Sequence, residues 1–170
     1  MLKRKQVAIV LWALLGTVLL WRSFMGVNWS DETFYIATLN RFFLGDTPFL
    51  HEWKAVQLFT LLMYPLFCLY KAFQPQSNDG VMLFFRLVYW VMSAGIAWCV
   101  YCNVTTVFEK LNVRGKQFAA LLTAALPMLY VRGNISAPSY NSIGVSAFYL
   151  AETVVAKVIL NPDNDIRKEM

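Results

Sequence analysis

The amino-acid sequence predicts an all-α fold: a polytopic membrane helix bundle of four spans plus a juxtamembrane helix, or of five spans. Three observations lead there. Hydrophobic residues are 58% of the 170 and charged residues only 15%, where soluble domains carry roughly 25% charged. Mean hydropathy is +0.49. The apolar residues gather in five runs of near-spanning length, and the charges punctuate the gaps between them. A soluble enzyme, a disordered chain and, with three Cys, a disulfide scaffold are all poor fits. The net charge of +5 therefore bears on topology and not on nucleic acid, because Lys and Arg form no single basic face.

The first run is Val7 to Trp21, behind the basic start Met1-Leu-Lys-Arg-Lys-Gln. No small-residue cleavage site follows, so residues 1–25 read as an uncleaved signal anchor with a cytoplasmic N-terminus. Residues 26–80 form an external loop that holds the second run, Ala55 to Phe73, with Pro65 inside it. Residues 81–160 hold three further spans: Leu87 to Phe108, Phe118 to Val131 and Ile143 to Leu160. Residues 161–170 are a polar tail. Small residues, Ser93, Ala94, Gly95 and Ala97, are expected to pack the spans against the first helix.

The positive-inside rule discriminates between the two topologies. If Ala55–Phe73 lies in the outer interface, Lys3, Arg4, Lys5, Lys110, Arg114, Lys116, Arg167 and Lys168 share the cytoplasmic side. If it crosses, only Lys3, Arg4, Lys5, Lys71 and Arg132 do so. Against the first arrangement, the run is apolar nearly all round, which suits a span.

The chemistry gathers in the segment Asn28 to Lys54. It holds four of the ten acids, Asp31, Glu32, Asp46 and Glu52, and the sole His, His51. Acids beside a bilayer stay hydrated, pair or do work. Ser30 can cap a helix that starts at Asp31 and places Asp31 and Tyr35 on one face. By spacing alone this is also what a hydrated loop with a well-capped amphipathic helix looks like. His51-Glu52 offers two metal ligands, too few for a site by themselves. Cys99-Val-Tyr-Cys102 lies within an apolar run without a partner pair for zinc. Glu152 stands in the middle of the last span, facing the bundle or a helix elsewhere.

Taken together, the anchor, Asp31-Glu32-Thr-Phe-Tyr35, Leu44-Gly45-Asp46-Thr-Pro48 and Glu52-Trp53-Lys54 resemble the start of GT-C superfamily glycosyltransferases. The likeness is to bacterial aminoarabinose and mannosyl transferases and to protein O-mannosyltransferases. It extends to Arg86-Leu87 at the head of a span and to the basic turn before the Ala-rich span EKLNVRGKQFAALLTAALP. The sequence departs from that pattern at Lys54-Ala55-Val56, where a Pro is usual, and in GNISAPSYNS, which lacks an acid.

The resemblance implies transfer of a sugar from a polyprenyl-phosphate donor to an acceptor hydroxyl on the outer face of the plasma (inner) membrane. It implies Asp31 as the base, with Glu32 orienting it or holding a divalent metal ion. Tyr35, Arg41, Lys54 and Arg132 are then substrate-binding candidates, the cations facing the phosphate leaving group. Glu52 and His51 are the metal candidates, and no cofactor is certain. Family members are several times longer, so the chain reads as an N-terminal part to be completed by further spans or a subunit, as the product of a truncated gene, or as a small protein that keeps the module for another use. The rival reading is a non-catalytic multi-span protein, such as a lipid-carrier flippase component or an assembly subunit.

The topology is open to cysteine labelling. A reagent confined to the outside should modify Asp46→Cys and spare Asn112→Cys. Modification of Asn112→Cys from outside would replace four spans with five.

Overall fold

In the computed structural model, residues 4–25, 31–48, 50, 57–111, 115–129 and 138–160 are described. Among these, all regular structure is helical: α1 Arg4–Ser23, α2 Asp31–Phe43, α3 Gln57–Phe73, α4 Val81–Lys110, α5 Lys116–Leu129 and α6 Tyr140–Leu160. Every expected run is a helix, and the amphipathic helix expected from Asp31 begins there. Among the described residues, two helices are long and apolar enough to cross a membrane, Val81–Lys110 and Asn141–Leu160. At about 1.5 Å per residue, α5 reaches only about 21 Å, short of a hydrocarbon core of about 30 Å. The apolar part of α1 is the shorter stretch Ile9–Ser23.

The helix ends follow local rules. Past α2, Gly45 takes a φ of 107°, which Gly alone adopts without strain. That turn lets Asp46 N donate to Arg41 O at 3.0 Å and Gly45 N to Phe42 O at 3.2 Å, a Schellman-type stop. At the head of α6, Ser139 and Ser142 cap each other. Ser142 N donates to Ser139 Oγ at 3.1 Å, and Ser139 N donates to Ser142 Oγ at 3.0 Å. The pattern is a capping box with Ser in place of Glu. It starts α6 three residues before Ile143, within a stretch that the Gly, Pro and Asn content predicts as loop. Helix α4 likewise starts six residues before Leu87, so Arg86 lies within the helix.

The chain divides into two compact units. One comprises residues 22–89 and 131–143. There α2 and α3 run side by side in the same direction, joined by edge-on aromatic pairs. Tyr35 meets Phe59 at 5.6 Å, Phe43 meets Phe67 at 6.0 Å and Phe42 meets Tyr64 at 6.5 Å between ring centres. The start of α4 returns antiparallel to α3, with Phe85 stacked on the fully buried Phe67 at 6.5 Å. Lys71 is buried at the end of α3. Its Nζ donates to Ser77 O at 3.2 Å and sits over the Phe43 and Phe67 rings, so an ammonium is accommodated among aromatic faces.

The other unit comprises residues 1–21, 90–130 and 144–170. Its centre is Val100, Val104, Ala120 and Ala124, with Trp12 and Leu150 packed on it. The expected grouping of the three later runs with the first helix is thus present. Two indoles anchor α1. Trp12 Nε1 donates to Leu121 O at 3.4 Å, and Trp90 Nε1 donates to Gly16 O at 3.0 Å. A Cβ at residue 16 would stand 3.9 Å from the Trp90 ring, in ordinary van der Waals contact with it. Lys157 Nζ donates to Asn103 Oδ1 at 3.4 Å and ties α6 to α4.

The small-residue strip differs from expectation in one respect. Ser93 and Ala97 are buried, but Ala94 is only half-buried and Gly95 is exposed with open space around it. The buried positions 93, 97, 100, 104 and 107 follow the 3.6-residue period, and residues 94 and 95 fall off that strip. Ser93 and Ser146 present buried hydroxyls with no hydrogen-bond partner among the described residues; what they contribute to packing is small volume.

These positions should separate in a stability measurement. Ala97→Leu should cost about 1–3 kcal/mol by overpacking. Gly95→Ala should be neutral or stabilising by up to about 1 kcal/mol, since it raises helix propensity in open space. Thermal unfolding in detergent reads both. Equal loss at the two sites would refute the packing strip.

Candidate functional site

Helix α2 carries the two adjacent acids at its first turn. Its amino end is held in place by Arg86, one turn and a half into α4. The guanidinium grips Glu32 with two bonds: Arg86 Nε donates to Glu32 Oε1 at 3.2 Å and Arg86 Nη2 to Oε2 at 2.6 Å. Its remaining nitrogen, Nη1, donates to Ser23 O and Met25 O, each at 3.2 Å. One side chain thus binds the end of α1, the start of α2 and the start of α4. Glu32 is fully buried and Arg86 is 6% exposed. Such a pair survives away from water only because the fork geometry satisfies both oxygens and the carbonyls take the spare donors.

Below this pair lies a small cleft lined by Glu32, Tyr35 and Leu39 of α2, Phe59 and Thr60 of α3, and Phe85 of α4. Its volume is about 10 Å³, room for about one water molecule. The cleft is therefore a supporting cavity beneath the acidic helix end and not a sugar pocket.

The expected site residues fall out as follows. Glu32 is bonded to Arg86 through both oxygens. Asp31 opens α2, one position from the anchored Glu32; its side chain lies outside the described residues. Tyr35 is buried one turn below Asp31, edge-on to Phe59 and Phe34. Arg41 is at the other end of α2, about 15 Å along the axis from Asp31. Its Nε donates to Asp46 Oδ2 at 2.6 Å in an exposed pair. The structure therefore does not bring Arg41 to the acids. His51, Glu52, Lys54 and Arg132 lie outside the described residues, as does the capping candidate Ser30. Cys99 and Cys102 are free and exposed on α4.

The residue that the sequence reading left without a role is Arg86. Its signal was present: a single cation within VMLFFRLVYW demands an anion or a carbonyl cage. What the sequence does not show is which acid, since Glu32 lies 54 positions away.

A double-mutant cycle tests the anchor. Arg86→Met should cost about 3–5 kcal/mol, because it strands a buried carboxylate. Adding Glu32→Leu should recover most of that loss, since a buried pair replaced by apolar side chains is often neutral. Additive losses in the double variant would show that the two groups do not act as a pair.

Comparison with known proteins gives no matching family model, no matching curated protein and no matching solved structure.

Proposed function

We propose that the chain is the catalytic-loop part of a GT-C-type membrane glycosyltransferase. The reaction moves a sugar from a polyprenyl-phosphate donor to an acceptor hydroxyl on the outer face of the plasma (inner) membrane. The protein is multi-pass, with a cytoplasmic N-terminus and four spans, α3 lying in the outer interface. In this arrangement α1 is the signal anchor, the runs Leu87–Phe108, Phe118–Val131 and Ile143–Leu160 are the further spans, and eight basic residues share the inner side.

The observation that carries the reading is the buried Glu32–Arg86 fork. It supports a division of labour between two adjacent acids. In the proposal Glu32 fixes the helix end, and the chemistry is assigned to its neighbour Asp31. A base must be held in place to be effective, because misplacement by about 1 Å costs orders of magnitude in rate. A free hydrated loop needs no such buried anchor at its first turn.

In the proposed reaction the acceptor oxygen attacks the anomeric carbon and its proton passes to Asp31. The bond from that carbon to the phosphate oxygen breaks, and polyprenyl phosphate leaves with the electron pair. Lys54 and Arg132 are the cations proposed to meet the phosphate. Arg41 is withdrawn from that role by its pair with Asp46 and its distance from the acids. Glu52, with His51, is the proposed position for a divalent ion should the reaction require one.

Asp31→Asn should lower transfer by about 10²–10⁴-fold and leave membrane insertion and donor binding intact, since Asn matches the shape but accepts no proton. The measurement is turnover of a radiolabelled polyprenyl-phosphate sugar in membranes containing the chain, alone or within a polypeptide that extends it. Undiminished transfer by the variant would remove Asp31 as the base. Donor binding without transfer in every form would favour the non-catalytic reading, a lipid-carrier flippase component or assembly subunit.

A further inference from the structure

Helix α6 has two unlike faces. Ser142, Ser146 and Thr153 are buried, and Leu150 packs on the Val100–Ala120 cluster. The opposite face is bare. Phe148, Val155 and Ile159 are 62%, 54% and 70% exposed, and Glu152 is exposed among them. The positions 148, 152, 155 and 159 form a single helical strip. Alongside it, Gly144, Ala147 and Ala151 are exposed too, and nothing lies within 4 Å of where a Cβ would stand at Gly144.

Glu152 sits near the middle of the apolar stretch Asn141–Leu160. Its carboxylate takes part in none of the ion pairs formed among the described residues. The one cation of α6, Lys157, is five residues further on, about 140° around the helix, and donates to Asn103. An ionisable group at that depth is expensive on a face turned to acyl chains. Small residues beside it permit close approach of another backbone, the usual way helices associate in lipid.

We infer that this face of α6 is a docking surface for another membrane-spanning helix that carries an Arg or Lys at mid-depth. The cation pairs with Glu152, and the partner's backbone lies along Gly144, Ala147 and Ala151. Charge complementarity selects this occupant. A second copy of the chain, related by a twofold axis along the membrane normal, would set carboxylate against carboxylate. The inference rests on α6 crossing the bilayer and is independent of the sugar-transfer chemistry.

The test uses the chain in phosphatidylcholine vesicles with a donor fluorophore at its C-terminus. The probes are acceptor-labelled Leu/Ala transmembrane peptides with Arg or Leu at the centre. The Arg peptide should associate about tenfold more tightly than the Leu peptide. Glu152→Gln should abolish most of that preference, and Glu152→Lys should transfer it to a peptide with a central Glu. Ala151→Leu, which keeps the charge but blocks close approach, should weaken association with the Arg peptide. Equal binding of both peptides by the wild type would overturn the proposal. So would a preference that survives Glu152→Gln, or self-association that the Arg peptide does not displace. Asn141→Cys and Leu160→Cys, tagged from opposite sides of the vesicle, establish the crossing; tagging from one side removes the premise. The Asp31→Asn assay reads a different residue, so the two readings fail separately.

Discussion

The contact between Arg86 and Glu32 is the constraint on which the first unit depends. In an apolar setting neither group is stable alone, and the desolvation of the pair roughly offsets its Coulomb attraction. Its value is therefore positional. A planar fork meets one carboxylate in one geometry, and the leftover donor finds two carbonyls, one on the last residue of α1 and one just past it. Three chain segments are held by a side chain that cannot let go of any without exposing a buried charge. The aromatic ladder between α2 and α3 supplies the area, but aromatic pairs tolerate a range of angles. The ion pair sets the register that the rings then fill.

The two units use different packing chemistry. Around Phe67 the core is aromatic, and its polar tips find specific acceptors: Tyr70 Oη donates to Asp79 O and Lys71 to Ser77 O. Around Val100 the core is Ala and Val, close-approach packing suited to helices in lipid, where apolar burial between helices gains little over contact with acyl chains. The indole donors of Trp12 and Trp90 then supply the directional bonds.

The proposed base, Asp31, is the first residue of the helix that this arrangement holds. Adjacent acids at a helix start are ordinarily two solvated charges favouring the positive end of the helix dipole. Here one of them is fully withdrawn from solvent. The withdrawal holds the first turn of α2, and the edge-on pair of Tyr35 and Phe59 packs the turn that follows. The bare face of α6 answers a different need, because an acid left on an apolar helix calls for a partner that this chain's described residues do not supply.

Much of this was written locally. Apolar runs of the right length made the five hydrophobic helices legible, because a backbone in lipid satisfies its polar groups only within a helix or a closed barrel. The start of α2 at Asp31 was legible from Ser30 as a capping residue followed by acids. Helix ends were less legible. Val81 to Arg86 belongs to α4 because Arg86 has a buried partner, and Ser139 to Ser142 belongs to a cap because two hydroxyls face each other. Neither fact is visible to a reading that scores each residue by its own preference. Tertiary structure alone decided that Glu32 is an anchor, that Ser93 and Ala97 rather than Gly95 meet their neighbours, and that Glu152 looks outward. Composition and period act within a turn or two of helix, whereas a charge or a small side chain acquires its meaning from whichever atoms the distant chain brings within reach.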